Sequence, residues 1–145
     1  MCSSDLGALR VCVPFAPDSN LVCLALNPVG NRDVAATNAF MQALYESLRC
    51  VHGQNVQSHE FYGSTTTLRA EAMGAVDMAR VLAELGLDAD SLVPDHDGAD
   101  RLVILRHTLM NPFLNDLENG NDYIDRYFDF LTRRTRALLA LERAA

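Results

Sequence analysis

A chain of 145 residues, 49% hydrophobic and 21% charged, is long enough for one domain with a real hydrophobic core, and it has no apolar run of membrane-spanning length. Its formal net charge of -7 argues against a nucleic-acid partner, whose phosphates require the opposite sign. All twelve cationic side chains are arginine, so no lysine amine is present to form a Schiff base, and lysine-dependent covalent catalysis is excluded within this chain.

The first stretch, "MCSSDL", has neither the basic nor the apolar region of a signal peptide. It resembles a sequencing-adapter end translated in frame from a GTG start. Residues 1–6 are therefore expected to be an artefact, with the native chain cut upstream of Gly7 and the gene product longer than this. "LRVCVPF" (9–15) and "LVCLALN" (21–27) are β-rich runs joined by the turn formers of "APDSN", which predicts an antiparallel hairpin. "PVGNRD" breaks the second strand and caps a helix near 32–51. There Val34, Thr37, Met41, Leu44, Leu48 and Val51 recur at spacings of three and four, and "HGQN" ends it.

"HEFYGSTTTLR" (59–69) is aromatic and β-branched and reads as a strand, with Gly63 a bulge or close-approach site. A helix is expected over 70–85, with Met73, Val76, Val81, Leu82 and Leu85 inward and Gly86 at C′. "LDADSLVPDHDGAD" is a polar excursion. "RLVILRHTLMNP" (101–112) follows as a strand apolar on both faces, with Leu102, Ile104, Arg106 and Thr108 on one and Val103, Leu105 and His107 on the other. "NGND" caps a last helix over 122–143 with a stripe of Ile124, Tyr127, Phe128, Leu131 and Leu138.

The order β-β-α-β-α-β-α predicts an α+β fold: a two-layer sandwich of about four mainly antiparallel strands with about three helices on one face. Strands apolar on both sides imply that something outside the chain covers the other face. Cys2, Cys12, Cys23 and Cys50 form no C-x-x-C pair. Cys12 and Cys23 read as small core residues, and a reducing cytoplasm is the expected compartment.

Most chemical candidates read more simply as structure. Asp95, His96, Asp97 and Asp100 lack the regular oxygen array of a calcium loop and the rigid histidines of a zinc site, so a solvated loop is expected and no metal is assigned. His52, His59, His96 and His107 are scattered, and His107 is expected to be a core histidine bonded to backbone. "PVGNRD" has too few glycines for a phosphate cradle. "RRTR" (133–136) reads as a solvated stretch near a helix end, where cations suit the macrodipole. Arg106 is different. A guanidinium among aliphatic neighbours needs an anion: a carboxylate of the same protein at a domain interface, or a substrate carboxylate gripped bidentately.

"APDSNLVCLALNPVGN", "HEFYGSTTTLR", "RLVILRHTLMNPFL" and the helix "YIDRYFDFLTRRTRALL" together resemble the C-terminal small domain of the group II amino-acid decarboxylases, which share the aspartate aminotransferase fold. The likeness runs from about Leu9 to nearly the chain's end. Its most specific part is "ILRHTLMNP", similar to an apolar-Arg-x-x-x-x-Asn-Pro pattern whose arginine takes the substrate's α-carboxylate, a role that falls by position on Arg106. The resemblance implies a pyridoxal 5′-phosphate-dependent carboxy-lyase acting on an L-amino acid, as a cytoplasmic homodimer. It makes residues 7–145 the small domain and the partner a large domain lying upstream. That large domain carries the Schiff-base lysine, the histidine that stacks on the ring and the aspartate that pairs with the ring nitrogen. No catalytic residue is then expected in this stretch, which alone would be inactive. The insert near 70–100 departs from the family and leaves the substrate open. A related aminotransferase, a carbon-carbon lyase, or a free-standing binding or assembly module would also suit the residues.

Overall fold

The computed structural model describes residues 8–17, 20–53, 55, 59–108, 115–116 and 120–142. The elements are β1 (Leu9–Cys12), β2 (Leu21–Pro28), α1 (Val34–Glu46), β3 (Ser64–Leu68), a single turn α2 (Ala70–Met73), α3 (Ala75–Leu85), a 3-10 turn (Ala89–Ser91), β4 (Leu102–Thr108), the two-residue strands β5 (Asn115–Asp116) and β6 (Asn121–Asp122), and α4 (Tyr123–Glu142). β1 and β2 form the expected hairpin, with Leu9 opposite Pro28 and Cys12 opposite Ala25. β4 pairs antiparallel with β2 on one side and β3 on the other, giving the order β1-β2-β4-β3. β5 and β6 form a separate two-stranded ladder. The α+β class and the four-stranded antiparallel sheet agree with the pattern of residues.

The helices are distributed differently from expectation, on both faces of the sheet rather than one. Cys12, Cys23, Ala25, Leu102 and Ile104 pack against Val81, Leu82 and Leu85 of α3. Leu9, Leu24, Leu26 and Leu105 pack against Phe40, Met41 and Leu44 of α1 and Phe130 and Leu131 of α4. The doubly apolar strands are thus covered largely from within, because the segment between β3 and β4 swings α3 onto the second face.

Several boundaries and phases also move. α1 starts where "PVGNRD" predicts, the Asp33 carboxylate accepting from the Ala35 and Ala36 amides, but it ends at Glu46, before "HGQN". β3 is shorter than 59–69, and 109–111 of the last strand lie outside the described residues. The helix expected over 70–85 is interrupted at Gly74, whose φ of 87° and ψ of 146° are far from helical. α3 therefore restarts at Ala75: Val81, Leu82 and Leu85 are inward as expected, Met78 joins them, and Val76, expected inward, is 85% exposed. Gly86 does adopt the left-handed C′ geometry, with φ 72°.

Two buried amides tie the layers together. Asn27 donates to the Asn31 and Leu85 carbonyls and accepts from Asn31 Nδ2 and Thr37 Oγ1, joining β2 to α1 and α3. Asn38 donates to the Gly98 and Arg101 carbonyls and accepts from the Val103 amide, which fixes the start of β4 against α1.

Candidate functional site

Four elements meet where the sheet emerges from its helical cover. Val22 and Leu24 come from β2, Phe61 to Ser64 from the approach to β3, Arg106 to Thr108 from the end of β4, and Tyr123, Ile124, Tyr127 and Phe128 from the start of α4; together they line a cleft of about 510 Å³. That volume suits a small organic ligand, and the lining has the usual mix of aromatic surface and a few polar groups. Gly63 is the close approach expected of it: its amide donates to the Leu48 carbonyl at 3.1 Å, and a Cβ there would sit 3.3 Å from Leu48 Cδ1.

Arg106 stands on the wall of this cleft. Along β4 burial holds through Leu102, Ile104 and Leu105 and then stops, so Arg106 is exposed and not enclosed among aliphatic side chains as the sequence suggests. The correction has a simple cause: Cys23, its neighbour on β2, is the last residue of that row under α3, and nothing described covers the row beyond it. The Arg106 Nε–H donates to Ser64 Oγ at 3.2 Å. Among the described residues no carboxylate forms an ion pair with Arg106, whereas Arg32, Arg49, Arg69, Arg80, Arg101 and Arg133 each meet an acid.

His107 faces the opposite side, half-buried. It meets a side chain rather than the expected backbone group: the Tyr127 hydroxyl lies 3.0 Å from Nε2, and the two rings pack edge to face with centroids 4.9 Å apart. Burial pushes the His107 imidazole below its ordinary value and the Tyr127 phenol well above its own, so both are neutral near pH 7. Phe61 extends the aromatic stack onto Tyr127 and Phe130. The α4 stripe is accordingly rotated. Phe130, Leu131 and Thr135 are buried, whereas Ile124 and Phe128 are exposed and line the cleft.

The remaining candidates stay apart from this cleft. Asp100 is occupied by Arg69 and Arg101, Asp97 lies 3.5 Å from Arg101, and His96 is exposed. Among the described residues no three His, Cys, Asp or Glu side chains are grouped to hold a metal ion. His52 is exposed and His59 stacks against Tyr62. In "RRTR" Arg133 pairs with Glu60 and Arg134 lies over the Phe130 ring, more than a turn before the end of α4 rather than at its terminus. Cys12 and Cys23 are buried as expected, and Cys50 is exposed; all three are free thiols. Burial, together with the hydrogen bond it donates to Glu84, pushes the Cys12 thiol up to about 12. No described helix is long and apolar enough to cross a membrane. Sequence reasoning missed Ser64, Phe61 and Tyr127; a hydroxyl paired across the strand from an arginine is visible only once the register is known.

Residues 7–134 match the family model described as tyrosine decarboxylase, C-terminal. No curated protein matches the chain.

Proposed function

The chain belongs to the tyrosine decarboxylase C-terminal domain family, and from that membership we propose that it is the small domain of a pyridoxal-phosphate-dependent L-amino-acid carboxy-lyase, with Arg106 binding the substrate's α-carboxylate. The observation that carries the reading is an exposed guanidinium on the wall of an apolar cleft, without a carboxylate partner among the described residues. A planar fork of this kind binds a carboxylate in two parallel hydrogen bonds and so fixes its direction as well as its place.

The donor set of this chain does not itself make a covalent site for the cofactor, since it contains no lysine. Bound elsewhere in the enzyme, pyridoxal phosphate supplies the electron sink for the charge left when carbon dioxide departs. This chain's contribution is to orient and enclose. Arg106 holds the carboxylate, and Phe61, Tyr127 and Phe128 make the rest of the same cleft apolar. The large domain and a second copy of the enzyme are the partners in this reading, and residues 7–145 are the small domain. The free thiols support a cytoplasmic setting.

Replacing Arg106 with Lys keeps the charge and removes the fork. In the full-length enzyme, carbon dioxide release should fall by about a hundredfold or more. Turnover near that of the unaltered enzyme would sink the assignment. Formation of an α-keto acid in place of carbon dioxide would point to an aminotransferase.

A further inference from the structure

Ser64 and Arg106 are direct partners in the β3–β4 ladder. The Ser64 hydroxyl donates to the Arg106 carbonyl at 3.1 Å and accepts the Arg106 Nε–H at 3.2 Å. A serine has a single O–H to give, so the first bond turns its lone pairs toward the guanidinium and the second uses one of them. The backbone carbonyl and the side-chain Nε of the same arginine are thereby tied to one oxygen. On the other side of Arg106 the row continues to Cys23, a buried thiol drawn into the core beneath α3. Ser64 is thus the residue in this row that offers the arginine an oxygen.

A guanidinium can receive a carboxylate on two edges, one formed by Nε and an Nη, the other by the two Nη groups. We propose that Ser64 is a positioning residue that occupies Nε–H and leaves the Nη1–Nη2 edge of Arg106 as the one offered to a carboxylate. The proposal rests on the assignment of Arg106 above and deepens it. A carboxylate approaching the side edge would have to displace the serine, whereas one approaching the end edge finds both prongs open among the described residues. Ser64 thus selects an approach direction, and through it the orientation of the bond to be broken.

The test uses the full-length holoenzyme with L-tyrosine and tyramine as probes, the second lacking the carboxylate. Ser64→Ala should weaken L-tyrosine binding roughly five- to tenfold and leave tyramine unchanged, and Ser64→Thr, which restores a hydroxyl, should recover most of the loss. In an Arg106→Lys background, Ser64→Ala should add little, because the group it acts through is gone. Equal weakening of both probes, no weakening of either, or a full additive loss in the Arg106→Lys background would each overturn the role of Ser64. If Arg106→Lys itself leaves the preference for L-tyrosine over tyramine intact, the carboxylate assignment fails. If that preference collapses while Ser64→Ala changes nothing, only the positioning role fails.

Discussion

His107 lies between a helix and a sheet, pressed against Tyr127, and burial favours its uncharged form. Its value unfolded is the ordinary 6.5, and folding lowers it. The contact is therefore unaffected above that value. As the pH falls below 6.5, the unfolded chain takes up the proton first and stability drops until the folded value is also passed. Denaturant midpoints measured from pH 7.5 to 5 should show this loss, and His107→Phe, which cannot protonate, should remove part of it. A pH dependence identical in the two proteins would refute the role. The cysteines give a second residue-level expectation. Cys12 and Cys23 are buried and Cys12 is held as the thiol, so brief treatment of the native chain with iodoacetamide should alkylate Cys50 while sparing those two. Mass spectrometry of the digested chain reads this directly.

Among the elements, β2, α1 and α3 converge on Asn27, whose side chain is fully buried and makes four hydrogen bonds. Asn27→Ala should cost about 2–4 kcal/mol in unfolding experiments, since the Leu85 and Asn31 carbonyls lose a donor and a cavity opens. The elements were legible to different degrees. α1 showed itself in its apolar spacing, with Val34, Thr37, Met41 and Leu44 all buried, although Leu48, also buried, and the half-buried Val51 fall beyond its end. In α3 the inward Val81, Leu82 and Leu85 were read correctly and only Val76 was misplaced, because Gly74 restarts the helix, an event that periodicity alone does not register. In α4, Tyr127, Leu131 and Leu138 belong to the packed face, but Ile124 and Phe128 are apolar for another reason: they line the cleft. Thr135 is buried in their stead, its hydroxyl satisfied by the Leu131 carbonyl at 2.8 Å.

At the scale of the whole molecule, strands apolar on both faces were plain in the sequence, and so was the need to cover both. What could not be read was that the segment near 70–100 supplies α3 as the cover for the second face. Long-range packing of this kind leaves no local periodic mark. The candidate cleft was legible in part for the same reason: Arg106 stood out by its chemistry, whereas Ser64, Phe61 and Tyr127 join the lining through pairings far apart in sequence. A molecule-wide prediction follows from the all-arginine composition. If this chain is mixed with pyridoxal phosphate and reduced with borohydride, peptide mapping should find no adduct on any side chain, leaving the terminal amine as the sole point of attachment. A labelled internal peptide would contradict it.

β4 is braced along its length. From Leu102 to Leu105 it is gripped by helices above and below and by the Asn38 amide, and beyond them Arg106 is still paired on both sides, with Cys23 of β2 and Ser64 of β3. The guanidinium thus springs from a backbone moored by two neighbouring strands, so its freedom to turn lies in its own side chain and not in the strand beneath it.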